Sequence, residues 1–120
     1  KRRHAHELLV GFTTDRSFGP VVVFGSGGTS VEVVRDTASG LVPLDEVLAG
    51  DLIDATRISR LLNGYRDRPP ADRDAIIAAL LSLSQLAIDH PAIVAVDINP
   101  LMVMPAGQGV VAVDAVVEMT

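Results

Sequence analysis

The C-terminal stretch constrains this chain more than any other. Val94-Ala95-Val96-Asp97-Ile98-Asn99-Pro100-Leu101-Met102-Val103-Met104 reads as a strand, and Gly109-Val110-Val111-Ala112-Val113-Asp114-Ala115-Val116-Val117 reads as a second. Pro105-Ala106-Gly107-Gln108 supplies the turn between them. With Met104 opposite Gly109, counting outward sets Asn99 opposite Asp114. Alternation along a strand then puts Asp97 on the face of Asn99 and Asp114. Three oxygen-bearing side chains therefore converge within otherwise apolar strands. A carboxylate buried without a partner costs roughly several kcal/mol, so such a cluster asks for a cation or for donors. Carboxylate and amide oxygens suit Mg²⁺, which takes one or two protein ligands and leaves room for phosphate oxygens.

A length of 120 residues fits one domain or one lobe of a larger one. Aromatics make up 3% against 48% hydrophobic residues, so the core must be built from Val, Leu, Ile and Ala. A net charge of −5 and the lack of a basic patch with interleaved aromatics argue against nucleic-acid binding. Lys1-Arg2-Arg3 reads as a terminal or surface feature. The absence of cysteine excludes disulfides and thiolate metal sites. No apolar run approaches the roughly 18 residues that span a bilayer, and no signal peptide is visible. A cytoplasmic protein is expected. Because it begins without Met, the chain is expected to be a piece of a longer protein.

Glu7 to Thr13 is expected as a strand, Thr14 to Ser17 as a turn, and Pro20 to Phe24 as a second strand in a hairpin with the first. Gly25-Ser26-Gly27-Gly28-Thr29-Ser30 is a glycine-rich loop. Val31 to Val34 is expected as a short third strand, and Arg35 to Pro43 as irregular or weakly extended chain. Asp45 to Ala49 suggests a short helix ended by Gly50. Asp51 to Leu62 carries a helical apolar period closed by Gly64. Asp72 to Asp89 gives the strongest helical stripe, through Ile76, Ile77, Leu80, Leu81, Leu83, Ala87 and Ile88, with Pro91 ending it. Strands, then helices, then strands make an α+β fold: an antiparallel-rich sheet with helices packed on one face.

The ordered set Glu7-Leu8-Leu9-Val10-Gly11, Asp15, Phe18-Gly19-Pro20-Val21-Val22, Phe24-Gly25-Ser26-Gly27-Gly28 and Val31-Glu32-Val33 resembles the NDP-forming acyl-CoA synthetases. So do Leu61-Leu62-Asn63-Gly64-Tyr65-Arg66, Arg68-Pro69-Pro70-Ala71-Asp72, Asp97-Ile98-Asn99-Pro100-Leu101 and Val113-Asp114-Ala115. The pattern is more distantly similar to the succinyl-CoA synthetase β-subunit. The resemblance implies the C-terminal subdomain of an ATP-grasp domain over residues 7–120, after a terminal segment 1–6. It also implies partners outside the chain: an N-terminal ATP-grasp lobe with the nucleotide-binding lysine, and the CoA-binding and ligase part with its phosphohistidine. The implied cofactors are Mg²⁺ and ATP/ADP. The implied reaction joins a carboxylic acid and CoA at the expense of ATP, giving acyl-CoA, ADP and phosphate.

The resemblance makes Asn99 and Asp114 Mg²⁺ ligands, with Asp97 as support, as a water-mediated ligand, or as an ordinary surface carboxylate. Gly25, Gly27 and Gly28 offer N–H groups and close approach to a phosphate, or form a plain turn. Glu32 orients a phosphate-site donor or pairs with Arg35 or Arg16. Glu7 lines the nucleotide cleft or pairs with a basic residue. Arg66 and Arg68 belong to a solvated loop, or reach a phosphate or an adjoining domain. His4 and His6 belong to a charged terminus, and His90 follows a helix, where a cation suits the dipole. One position departs from the family: Val116 stands where a basic residue often follows the Asp-Ala pair. That departure keeps open a second reading, a non-catalytic regulatory or binding module in a fused acyltransferase-type protein.

Overall fold

The computed structural model describes residues 5–28 and 36–120. Lys1-Arg2-Arg3, His4, Glu32 and the strand expected over Val31 to Val34 lie outside them. The elements run β1 (His6–Asp15), β2 (Gly19–Ser26), β3 (Thr37–Leu41), α1 (Glu46–Asp54), α2 (Ser59–Leu62), α3 (Arg73–Asp89), β4 (Ile93–Val103), β5 (Val110–Ala112) and β6 (Ala115–Met119). The strands form one antiparallel sheet in the order β3-β2-β1-β4-β5, and β6 pairs with β4 beyond β5. The α+β expectation therefore holds.

Alternation decides the two faces. In β1, Leu8, Val10 and Phe12 are buried, while Glu7 and Thr13 are exposed. In β2, Val22 and Phe24 are buried on the same inner face. Helix α3 packs on β1, β2 and β4, and α1 packs on β2, β3 and α3. The helices thus cover the inner face. Helix α3 buries Ile76, Leu80, Leu83 and Ala87, a narrower stripe than the sequence suggests, with Ile88 left exposed. Ser84 is buried in that stripe, and its Oγ accepts from Leu44 N at 2.9 Å. This bond supplies the partner that a buried hydroxyl needs.

The helical region departs from expectation in two places. Gly50 does not end a helix; it lies buried within α1. The helix expected from Asp51 to Leu62 is split after Asp54, and only Ser59–Leu62 continues. Side chains competing for backbone groups account for the break. Thr56 Oγ1 donates to Ile53 O and Ser59 Oγ to Thr56 O, both at 2.7 Å. Asp36 takes the next two backbone donors, Arg57 N at 2.7 Å and Ile58 N at 2.9 Å. An apolar period alone does not register these local acceptors. Gly64, at φ +99°, does close the segment as expected.

Two boundaries also move. Gly25 and Ser26 belong to β2 rather than to a loop, because Thr37 pairs with Gly25 to open β3. His6 is not in a charged tail: it is buried at the start of β1, opposite Val103.

Candidate functional site

The register counted from sequence is present. Met104 N donates to Gly109 O at 3.0 Å, and Asn99 N donates to Asp114 O at 3.1 Å. The second strand is not continuous, however. Val113 and Asp114 form a break between β5 and β6, while Val113 N still reaches Pro100 O at 3.1 Å.

On the other edge of β4 the ladder is irregular. Leu8 pairs with Leu101 and Val10 with Ile98, so the single residue Leu9 faces both Asn99 and Pro100. This is a bulge, and Pro100 brings no N–H to the ladder there. The extra residue changes the inward set from Val96 to Leu101 and Val103. Simple alternation does not reveal that switch. Bulges commonly re-aim a side chain, and here Asn99 reaches across β1: its Oδ1 accepts from Gly28 N at 2.8 Å.

The glycine loop is packed tightly onto this point. Gly27 N donates to Glu7 O at 3.0 Å, and Ser26 N donates to Asp36 O at 3.0 Å. A Cβ on Gly27 would overlap the Leu8 carbonyl and lie 2.8 Å from Asn99 Oδ1. A Cβ on Gly28, at φ +98°, would overlap the Glu7 carboxylate. The N–H groups of residues 26, 27 and 28 therefore meet protein acceptors, not the open space an anion would occupy. The glycines serve close approach between β1, the loop and Asn99.

Of the residues expected at the site, Glu7, Gly27, Gly28 and Asn99 come together, and Gly25 sits within β2. Asp97 pairs with Gly11 and with Val116 and is exposed; Asp114 is exposed at the β5–β6 break. The carboxylates are thus not buried, and the desolvation premise for a preformed three-oxygen cage does not hold. The described residues contain no group of three or more His, Cys, Asp or Glu placed to hold a metal. What stands there is a pair of hard oxygen donors, Asn99 and Asp114, on facing backbone positions. That donor set fits Mg²⁺, which binds through one or two protein ligands plus phosphate, and not a closed all-protein site. Asn99 Oδ1 has two lone pairs, of which Gly28 N takes one.

Two acidic residues not expected at the site from sequence, Asp36 and Asp72, brace the surroundings. The Asp36 carboxylate accepts from Ser26 Oγ at 3.0 Å as well as from Arg57 N and Ile58 N. Burial pushes this carboxyl up, but those two backbone donors, the Ser26 hydroxyl and the Arg57 charge together hold it below the ordinary carboxylate range. Asp72 caps α3 through Ala75 N at 3.1 Å, and its other oxygen takes Gly109 N at 2.7 Å. One carboxylate thereby joins the helix to the β4–β5 turn that sets the Asn99–Asp114 register. Arg66, at φ +55°, stacks over the exposed Tyr65 ring at 5.2 Å, well separated in sequence from the loop.

Comparison with known proteins agrees with this architecture. The ATP-grasp family profile, described as an ATP-grasp domain, matches residues 1–119. Acetate–CoA ligase (ADP-forming) I of Archaeoglobus fulgidus is 40% identical over 105 residues, which is 88% of this chain and 15% of that protein. The β subunit of acetate–CoA ligase (ADP-forming) II of Pyrococcus furiosus is 37% identical over 110 residues, covering 91% of this chain and 47% of the subunit. Among solved structures, dinucleotide-forming acetyl-coenzyme A synthetase 1 of Ca. Korarchaeum cryptofilum, in complex with coenzyme A and Mg-AMPPCP, superposes with a TM-score of 0.89 at 35% identity. That match takes in 96% of this chain and 53% of the other. The chain thus spans about half of the separate β subunit and far less of the single-chain relative. On the profile match and the shared fold, the chain belongs to the ATP-grasp family.

Proposed function

We propose that this chain supplies the Mg²⁺–phosphate side of the ATP-grasp domain in an ADP-forming acyl-CoA ligase. The full reaction is acid + CoA + ATP ⇌ acyl-CoA + ADP + phosphate. The observation that carries the reading is the register: Asn99 and Asp114 face each other across two strands, beside a bulge and a glycine corner. ADP-forming relatives at 40% and 37% identity support the reaction class.

When bound, Mg²⁺ would neutralise charge on the phosphoryl group being transferred. Asn99 and Asp114 would hold it through one oxygen each. Asp97, two residues from Asn99 on the same face, would orient a water between ion and protein. Glu7, the end of β2 at Gly25 and Ser26, and the corner at Gly27 and Gly28 would form the wall beside the phosphates. Glu32 keeps the role the resemblance gives it, orienting a phosphate-site donor. The adenine-binding lobe, the acid pocket and the CoA-binding part would come from other segments or subunits. The chain alone should not turn over, because phosphoryl transfer depends on positioning that those parts complete. The described residues contain no helix long and apolar enough to cross a membrane. A cytoplasmic location is proposed with the ligase reading and not from that observation.

The test is Mg²⁺-dependent ADP formation, with acid and CoA, by the full-length protein carrying this chain. The Asn99→Ala/Asp114→Ala variant should lose at least about 100-fold in metal-dependent rate. Full activity in that variant would remove the Mg²⁺ assignment.

Val116 motivates a second reading. It is 58% exposed and pairs with Asp97, where the family often carries a basic residue. A non-catalytic module in a fused acyltransferase-type protein tolerates that loss. Labelling the full-length protein with γ-³²P-ATP separates the two. Acid-labile phosphohistidine marks the enzyme, and its absence marks the module.

A further inference from the structure

Asn99 is held at one end only by what the glycine corner offers it. An Asn side chain presents an acceptor oxygen at one end of its amide and a donor NH₂ at the other. Left to solvent, the two ends exchange places freely. A single backbone N–H at 2.8 Å, from Gly28, admits only the oxygen. That corner is itself fixed: Gly27 N donates to Glu7 O, and Gly27 lies so close to the Leu8 carbonyl that no Cβ fits. On the far side, Gly28 abuts the Glu7 carboxylate. Glu7 and Leu8 therefore anchor the corner, and the next residue, Leu9, faces the bulge that aims Asn99.

We propose that Gly28 is a positioning residue for the metal ligand. Its N–H fixes the Asn99 amide with Oδ1 inward and leaves the second lone pair of that oxygen for the cation. The role assigned to the glycine corner is thus to orient a ligand rather than to contact phosphate. This inference rests on Asn99 being a Mg²⁺ ligand. The partner that orients a ligating side chain is typically worth about 10–100-fold in metal affinity.

The test is Mn²⁺ affinity, read by electron paramagnetic resonance, of the full-length protein with ADP. Gly28 is replaced by glycolate, so that an ester oxygen stands in for its N–H and glycine's backbone freedom is kept. The ester should weaken Mn²⁺ about 10-fold or more. Gly28→Ala, strained at φ +98°, should weaken it at least as much. In an Asn99→Asp background the ester should cost less than about 3-fold, because a carboxylate offers oxygen at both ends. A merely structural corner would cost the same in both backgrounds, and that result overturns the proposal. So does wild-type affinity in the ester when Asn99→Ala binds Mn²⁺ weakly. If Asn99→Ala itself binds Mn²⁺ normally, the ligand reading falls, and the positioning role falls with it.

Discussion

The two faces of the sheet follow different rules. The inner face buries Leu8, Val10, Phe12, Val22 and Phe24 under α1 and α3, with each polar intruder satisfied. The outer face carries Glu7, Asp97 and Asn99, while the described helices α1 and α3 pack on the inner one. Stability resides in the first, and the proposed metal site lies on the second. They meet at the Asn99–Pro100 bulge, where the inward set of β4 changes parity. A chain can therefore lose outer-face function while its fold survives, and the reverse separation is not available.

Substitutions can break this contrast. Phe24→Ala, on the fully buried inner face, should destabilise by about 3–5 kcal/mol in urea unfolding. A cost under about 1 kcal/mol would mean that the inner face is not the principal core. Asp72→Ala removes the cap of α3 and the partner of Gly109 N. It should cost about 1–2 kcal/mol and increase amide exchange at Gly109. Unchanged Gly109 protection would show that the helix does not brace the turn.

The Asp36 clamp sharpens the contrast through pH. Its carboxyl is held below the ordinary range in the folded chain, so its contribution is full above the unfolded value, about 3.9. That contribution is lost as pH falls through the lower folded value. Asp36→Asn should flatten the acid limb of the stability profile below about pH 4; a limb identical to wild type contradicts the clamp. The smallest effect is expected at Val116→Lys, on the outer face. It should change stability by less than about 0.5 kcal/mol while placing a cation beside Asp97. A larger loss would mean that Val116 packs as core.

Much of this was legible in the residues, for physical reasons. The hairpin register followed from turn length and strand period, both local. The long helix followed from Asp72, the apolar stripe and Pro91. The split of the middle helix did not, because Asp36 acts on Arg57 and Ile58 across an intervening stretch of sequence. The bulge did not, because alternation carries no information about an inserted residue until the partner strand is known. The glycine corner read as a close approach to phosphate or as a plain turn, whereas its N–H groups meet Asp36 O, Glu7 O and Asn99 Oδ1. The Asn99 partner was not legible, since that proximity is a tertiary fact. Asp97 and Asp114 looked buried because their neighbours are apolar, yet β6 lies at the uncovered edge of the sheet and is exposed along its length.

Asn99 and Asp114 on the outer face are proposed to bind a divalent cation together with nucleotide phosphate. Mn²⁺ titration of the full-length protein with ADP, comparing wild type with Asn99→Ala/Asp114→Ala, tests this binding most directly. The double variant should bind Mn²⁺ at least about 100-fold more weakly, with an unchanged melting transition of the inner-face core. Equal Mn²⁺ affinity in the two proteins would contradict the metal assignment.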